Sequence, residues 1–191
     1  CGASGSGKST LLRLLKRELS PRCELSGNIT LMGKDRSELS DRESAEKIGF
    51  VMQSPDSQTV CDKVSAELAF GLESFGVKSG EIQSRVGEMA AFFGIESLYD
   101  RDISTLSGGQ KQLVALCSVM ATDPDILLLD EPTAQLDPVA ARELLGILDR
   151  LNKEMGVTII IAEHDPEELF DSCDKILYLA NGKTEFFGTP T

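Results

Sequence analysis

Tryptophan is absent from this sequence of 191 residues, which has one histidine, two tyrosines and 5% aromatic residues. Its five cysteines include no Cys-x-x-Cys pair. This composition excludes a zinc site of the usual Cys/His spacing, and scattered cysteines do not make the disulfide framework of a small secreted domain. We therefore expect a protein of the reducing cytoplasm.

Long hydrophobic runs and an excess of basic residues are also missing. The longest apolar runs have the length of a strand, so the sequence predicts neither a signal peptide nor a transmembrane helix. The chain has 31 acidic and 19 basic residues, for a net charge of −12. Because nucleic-acid-binding surfaces are usually basic, we expect no nucleic-acid partner, and any membrane role requires a partner protein.

The second half of the chain alternates helical patterns with short apolar runs, such as DILLLDE and VTIIIAEHD. This alternation predicts a parallel sheet covered by helices on both faces. Leucines from Leu11 to Leu19 predict a first helix that ends near Ser20, and PEELFDSC predicts a helix after the last parallel strand. Residues 62–105 lack strand patterns and predict two helices, and hairpins are expected in LSGNITLMGKDRS and around Asn181.

The first ten residues, CGASGSGKST, contain the pattern G-x-x-x-x-G-K-[ST] in Gly2, Gly7, Lys8 and Ser9. Backbone N–H groups of such a loop surround phosphate oxygens, and the following helix adds the positive end of its dipole. Lys8 would bridge the β- and γ-phosphates, and the Ser9 hydroxyl would bind Mg²⁺. The alternative is a flexible Gly/Ser segment that matches the pattern by chance.

Polar residues follow three of the predicted strands. Gln53 follows IGFVM, Asp130 and Glu131 follow ILLL, and Glu163 and His164 follow IIIA. The carboxyl ends of parallel strands share one edge of a sheet, where ligands bind in open α/β folds. We therefore expect these residues to converge with the phosphate loop on one nucleotide.

The chemistry of these side chains suggests a role for each. Asp130 could hold the water ligands of Mg²⁺, and Glu131 could act as the general base that activates the attacking water. Gln53 could bind the metal or orient that water, and His164 could donate a hydrogen bond to the γ-phosphate. Taken singly, a histidine after a strand is more often a loop residue than a catalyst, and Asp-Glu often forms a solvated turn, so the prediction depends on their convergence.

The stretch TLSGGQKQ places two glycines in the first turn of a helix with Ser107 as its N-cap. Each glycine costs about 1 kcal/mol relative to alanine. A helix start without side chains can approach a phosphate closely. Because the phosphate loop already serves one nucleotide, we expect this helix to contact a second nucleotide held by a partner subunit.

Taken in order, GASGSGKST, Gln53, LSGGQ, ILLLDEP, AQLD and His164 resemble the ATPase domain of ABC proteins over essentially the whole chain. The resemblance implies a P-loop NTPase fold in one domain, residues 1–191, with a mainly parallel sheet flanked by helices, a small antiparallel β part and a helical subdomain inserted at residues 62–105. It implies hydrolysis of Mg²⁺-ATP, with Glu131, His164 and Gln53 as catalytic residues. The metal ligands would be Ser9, Gln53 and Asp130, and ATP would be bound by Gly2, Ser4, Gly5, Ser6, Gly7, Lys8, Ser9 and Thr10.

The resemblance also implies a head-to-tail dimer with a second ABC ATPase domain, in a homodimer, a heterodimer or a tandem chain. Asp137 would lie at the interface. The ATP of the partner would be contacted by the signature residues Ser107, Gly108, Gly109 and Gln110.

Two segments, QSPDSQTV and AEHDPEEL, are similar to the ATPases of energy-coupling factor (ECF) importers, which take up vitamins and cobalt or nickel ions. This similarity implies integral membrane subunits as partners and a place at the cytoplasmic face of a prokaryotic cell membrane. Residues 53–58 and the helical insertion would be the docking surface for the membrane subunits.

Two alternatives are a soluble ABC ATPase of DNA repair or translation and a nucleotide-binding partner domain of an active twin. About 100 residues without sustained heptads separate the phosphate loop from LSGGQ, which disfavours the long coiled coil of repair members. The net charge of −12 disfavours an RNA-binding factor. Glu131 argues against the inactive twin, since degenerate sites commonly lose this carboxylate.

The chain departs from the family pattern in three places. It has no strand and no adenine-stacking aromatic residue before the phosphate loop, so we expect a fragment without the first strands of the domain. Leu113 replaces the usual arginine after LSGGQKQ, and Gln135 replaces the more usual glycine or alanine of the loop before Asp137. Neither substitution removes a residue expected to contact phosphate.

Overall fold

The computed structural model describes residues 1–164, 169–170 and 172–190. The helices of this part of the chain are α1 (Lys8–Leu15), α2 (Asp41–Lys47), α3 (Val64–Ser74), α4 (Ser79–Phe93), α5 (Gly108–Met120) and α6 (Pro138–Met155). The strands are β1 (Thr30–Leu31), β2 (Lys34–Asp35), β3 (Ile48–Val51), β4 (Ile126–Asp130), β5 (Thr158–Ala162), β6 (Ile176–Ala180) and β7 (Lys183–Gly188).

The central sheet is parallel, in the order β3-β4-β5, as the alternating pattern predicts. Successive side chains of β4 enter two separate cores. Leu127 and Leu129 pack with α3 to α6, whereas Ile126 and Leu128 pack with α1 and the β1–β2 hairpin. A fully buried leucine contributes about 1.5–3 kcal/mol, so both cores hold the sheet in place.

Strand β5 is an exception to the predicted coverage of both faces. Ile160 is 37% exposed and Thr158 is exposed as well. The core on the α1 side includes Ala162, at the carboxyl end of β5, but not Ile160. The α1-side face of the sheet is therefore less covered at the amino-terminal half of β5 than along β3 and β4.

Helix α1 ends earlier than its leucine pattern predicts. Lys16 has extended backbone angles (φ −102°, ψ 117°), and a short 3₁₀ turn over Arg17–Leu19 follows it. The Lys16 ammonium donates to the carbonyls of Ser44, in the middle of α2, and Ile48, at the start of β3. This tertiary contact turns the chain out of the helix before Ser20.

Helices α3 and α4 confirm the two helices predicted between residues 62 and 105. The base of this segment is closed, because Val64 N–H donates to the Arg101 carbonyl (3.1 Å) and Ile103 N–H donates to the Asp62 carbonyl (2.8 Å). Helix α3 packs on α5. A subdomain with bounds 62–105 stays a prediction, and these contacts are consistent with it.

Both predicted hairpins form, β1–β2 around Gly33 and β6–β7 around Asn181 and Gly182. The helix expected in PEELFDSC falls largely on residues 165–168 and 171, which lie outside the described residues. No helix of the described residues has the length and apolarity needed to cross a bilayer.

Candidate functional site

The phosphate loop is shaped by glycines whose backbone and surroundings exclude a side chain. A Cβ on Gly2 would lie 2.2 Å from the Leu179 carbonyl oxygen of β6. Gly7, at the N-cap of α1, has φ +101°, in the left-handed region. The loop before the first N–H groups of α1 therefore needs glycine at position 2 for close backbone packing and at position 7 for its left-handed conformation.

Lys8 lies across this loop with a buried side chain. Its Nζ donates to the carbonyls of Gly2 (2.8 Å) and Ala3 (3.2 Å) and lies 3.5 Å from a carboxylate oxygen of Glu131. The Ser6 hydroxyl, also buried, has no hydrogen-bond partner among the described residues. Buried polar groups usually have partners, so this hydroxyl is available to a ligand oxygen.

Glu131 is the centre of a cluster formed by the ends of three strands. Gln53 Nε2 donates to Glu131 Oε2 (2.8 Å), and His164 Nε2 lies 2.8 Å from Oε1. His164 Nδ1 lies 3.3 Å from Lys8 Nζ. The tautomer with hydrogen on Nε2 therefore lets the ring donate to Glu131 and accept from Lys8. Thus the structure brings together the expected catalytic residues and Lys8.

The backbone of Glu131 has φ +49°, an uncommon conformation for a residue with a side chain. Its N–H donates to the Ala162 carbonyl (2.9 Å), so the link between β4 and β5 continues one residue past β4. Unusual backbone angles of this kind often occur at functional sites. This local geometry places the carboxylate within reach of both Lys8 and His164.

Ser9 and Asp130 meet as expected for a magnesium site. The Ser9 hydroxyl donates to Asp130 Oδ1 (2.7 Å), and Gln53 reaches the adjacent Glu131. Together the three side chains of Ser9, Asp130 and Gln53 offer hydroxyl, carboxylate and amide oxygens, which are ligands that Mg²⁺ prefers. No group of three or more His, Cys, Asp or Glu side chains within the described ranges could hold a metal. The residues present therefore fit Mg²⁺ that shares its coordination with phosphate oxygens.

Glu163 is a buried residue of the site for which the sequence suggested no role. Its Oε1 accepts hydrogen bonds from the Thr133 hydroxyl (2.7 Å) and the Thr133 N–H (3.3 Å). Burial raises the pKa of the Glu163 carboxyl, and the charge of Glu131 adds to this, while the Thr133 bonds oppose it. Glu163 thus connects the loop after β4 to the end of β5, next to His164.

Replacement of Glu163 by glutamine is expected to change stability in a pH-dependent way. Because burial raises the folded-state pKa above that of the unfolded chain, the folded protein binds more protons between the two values. Stability from this group is therefore lost as pH rises through that window. Glutamine has no charge to bury and keeps an oxygen for Thr133. The quantity to compare is the melting temperature of Glu163→Gln minus that of wild type. We expect this difference to be about 2–4 °C larger at about pH 8 than at about pH 5.

The control for this melting experiment is Glu185→Gln, at an exposed position of β7. It removes the same charge without relieving burial, so its difference from wild type should not vary in this way with pH. An equal effect of Glu163→Gln at both pH values would contradict the assignment of a burial penalty to Glu163.

The signature residues form the start of α5, with Ser107 as the predicted N-cap. Ser107 Oγ accepts from the Gln110 N–H (3.3 Å), and Gln110 Oε1 accepts from the Ser107 N–H (3.0 Å). A Cβ on Gly109 would lie 3.3 Å from the Ala140 Cβ of α6. Glycine here lets the starts of the two helices approach each other closely.

Signature residues Ser107, Gly108, Gly109 and Gln110 are not joined to the Glu131 cluster by any hydrogen bond or ion pair of the described chain. Exposed Asp137 caps α6 by accepting from the N–H groups of Val139 (2.9 Å) and Ala140 (3.1 Å). The expected contacts of the signature residues and Asp137 with a partner subunit stay predictions.

Together, the fold and the site define a nucleotide-binding domain with a phosphate loop. A protein-family model described as "ABC transporter" matches residues 1–134. The chain therefore belongs to the ABC transporter family, whose ATP-binding domains hydrolyse ATP. The resemblance seen in the sequence and the predicted P-loop fold class are confirmed.

Individual relatives agree with this family. An ABC transporter ATP-binding protein of Bacillus cereus is 46% identical over 189 residues, which are 99% of this chain and 34% of the relative. The energy-coupling factor transporter ATP-binding protein EcfA1 of Lacticaseibacillus paracasei is 40% identical over 190 residues, all of this chain and 67% of the relative. The chain thus spans about a third of the length of the Bacillus relative.

Among solved structures, cbiO1 of Clostridium perfringens, described as part of the ABC transporter complex cbiONQ, matches with a TM-score of 0.88. It is 36% identical, and the match covers 99% of this chain and 75% of that chain. The match confirms a common fold.

Proposed function

We propose that this chain binds Mg²⁺-ATP and hydrolyses it to power a membrane transporter, with ECF-type uptake of a vitamin or a transition-metal ion as its process. The observation that supports hydrolysis best is the contact of Glu131 with Lys8, His164 and Gln53. A cation and two hydrogen-bond donors lie within 3.5 Å of one carboxylate, next to a phosphate loop.

ATP binding would use the loop and Lys8. The Lys8 ammonium now donates to two loop carbonyls and could turn to the β- and γ-phosphates. Mg²⁺ held by Ser9, Asp130 and Gln53 would neutralise charge on the phosphates. The N–H groups at the start of α1 add to this positive field.

Glu131 is proposed to act as the general base. Both of its oxygens are now engaged, Oε1 by His164 and Oε2 by Gln53. A γ-phosphate that attracts Lys8 and accepts from His164 would free Oε1 to take a proton from the attacking water. General bases of this kind contribute about 10²–10⁴ in rate.

The start of α5 supports a composite site, in which residues of two ATPase domains contact one ATP. Ser107 to Gln110 have no contact with this chain's own phosphate loop among the described hydrogen bonds, yet they form a helix N-terminus suited to a phosphate. We propose that they contact ATP bound by a second ABC ATPase domain, with Asp137 at that interface. This second domain could be identical, different or part of the same chain.

A groove on the helical segment supports a membrane partner. It has a volume of about 410 Å³ between α3 and α4. Phe70 of α3 directly follows the groove residue Ala69 in the sequence, and its side chain is 47% exposed. The groove is lined by Ala69, Glu73, Val77, Ser79, Ile82, Gln83, Val86 and Tyr99. We propose that a cytoplasmic helix of an integral membrane subunit docks here and on residues 53–58, at the inner face of a prokaryotic membrane.

The test is photo-crosslinking of the full-length protein in its native host, with the crosslinker at Phe70. Exposed Phe187 of β7 is the matched control, because it lies on the β6–β7 hairpin and not on the helical segment. We expect Phe70 alone to capture a polytopic membrane protein, and a co-purifying substrate-binding subunit would identify the cargo. Capture of ribosomes or repair proteins, with no membrane protein, would contradict the transporter and favour a soluble ATPase.

A further inference from the structure

Residues 53–58, here called the Gln53 segment, connect the Glu131 cluster to α5, the helix that starts with the signature residues. At one end Gln53 donates to Glu131, the centre of the Glu131 cluster. The middle forms a 3₁₀ turn over Pro55–Ser57, with Pro55 buried. The segment packs against α5, the helix that starts with the signature residues.

Gln58 clamps the far end of the Gln53 segment to β3. Its Nε2 donates to the Phe50 carbonyl (3.1 Å), and its Oε1 accepts from the Met52 N–H (2.8 Å). The amide therefore uses both of its polar atoms on backbone groups two residues apart, as a neighbouring strand would. This closes the segment into a loop, so that a displacement of Gln53 moves the turn as well.

Asp56, in the turn, forms an ion pair with Lys111 of α5. Lys111 Nζ lies 2.6 Å from Asp56 Oδ1, and the Lys111 side chain is only 20% exposed. Lys111 lies one turn after Ser107, and its N–H donates to the Ser107 carbonyl (2.9 Å). The ion pair thus joins the Gln53 segment to the same helical turn that presents the signature residues.

We propose that the Asp56–Lys111 ion pair couples this chain's own nucleotide site to its signature helix, with both as positioning residues. This inference rests on the proposed function. When a nucleotide draws Gln53 towards the metal or the attacking water, the clamped segment moves with it, and Asp56 shifts Lys111 and the start of α5. Because coupling is reciprocal, a nucleotide seated on Ser107 would in turn adjust Gln53.

The size of the effect follows from the exposure of the pair. Asp56 is 69% exposed, and exposed ion pairs are weak. We therefore expect Asp56→Asn and Lys111→Gln each to lower kcat for ATP hydrolysis by about two- to fivefold. The affinity of the phosphate loop for ATP should stay unchanged, since neither residue contacts that loop in the described contacts.

The experiment measures ATP hydrolysis and equilibrium ATP binding on the full-length protein with its partners. The double variant Asp56→Lys with Lys111→Asp reverses the ion pair and is expected to restore kcat to within about twofold of wild type. Salt at about 0.5 M should slow wild type but have little effect on Asp56→Asn.

The matched control is Asp125→Asn, which removes the Lys47–Asp125 ion pair (3.0 Å) at the other end of the sheet. Its kcat should equal that of wild type. The coupling would be overturned if the single variants had the kcat of wild type. It would also be overturned if the reversed pair lost as much kcat as the two single variants lose together. Failure of wild type itself to hydrolyse ATP would instead overturn the proposed function.

Discussion

Replacing Glu131 by glutamine is expected to lower ATP hydrolysis by at least ~100-fold while ATP binding is retained. The amide keeps the size of the side chain and can still accept from Gln53 or His164, but it cannot take a proton from water. Lys8, Ser9 and Asp130 are untouched, so the phosphates and Mg²⁺ still bind. Steady-state phosphate release and equilibrium ATP binding on the full-length protein would measure the two effects separately.

The same variant should accumulate an ATP-bound dimer, because the bound nucleotide is no longer consumed. A suitable control is Glu154→Gln, which removes an exposed carboxylate paired with Arg150 on α6. That control should hydrolyse ATP at the wild-type rate. Turnover by Glu131→Gln at the wild-type rate would remove Glu131 from the role of general base.

Replacing Ser107 by arginine is expected to lower hydrolysis by about 10²–10³-fold, the range seen when a donor to a transition-state oxyanion is lost. The long side chain would occupy the space in front of the α5 N-terminus and displace the partner's phosphate. ATP affinity at this chain's own loop should change little, because Ser107 has no described contact with Lys8. Hydrolysis and nucleotide binding are again the two measurements.

Helix α2 offers a matched control, because Ser40 and Glu43 form the same kind of capping box as Ser107 and Gln110. Ser40→Arg should lose about 0.5–2 kcal/mol of cap stability, as Ser107→Arg does, yet retain hydrolysis. If Ser107→Arg weakened ATP binding at its own loop as much as it slowed hydrolysis, the composite site would be wrong.

The main features of the fold could be predicted because they depend on local pattern. Strands β3, β4 and β5 are unbroken apolar runs, and both hairpins have glycine at their turns. Helix α2 escaped prediction because it has seven mostly polar residues without an apolar period. Its local signals were the capping box of Ser40 and Glu43 and the charges at its two ends, Asp41 and Lys47.

The candidate site was predictable in part for a similar reason. Glycine spacing marks the phosphate loop, and the polar residues after parallel strands must share one edge. The bonds of Glu163 to Thr133 and of Asp56 to Lys111 join residues 30 and 55 positions apart. No period or motif in the sequence predicts such pairs, because they depend on how loops from different strands and helices pack.

The role of the signature residues was predicted in two ways. The physical cost of two glycines in a first helical turn indicated a close approach to a ligand. The head-to-tail dimer, by contrast, came from family resemblance. The structure adds that Gly109 packs tightly against Ala140, so part of the requirement for glycine comes from this chain's own α6.

The most direct test of the account is a structure of the full-length Glu131→Gln protein with Mg²⁺-ATP. We expect the γ-phosphate to contact Lys8 and His164 of one ATPase domain and Ser107 of the other, with Mg²⁺ on Ser9. A nucleotide contacted by the phosphate loop alone, with Ser107 exposed to solvent, would contradict the composite site from which the proposed mechanism follows.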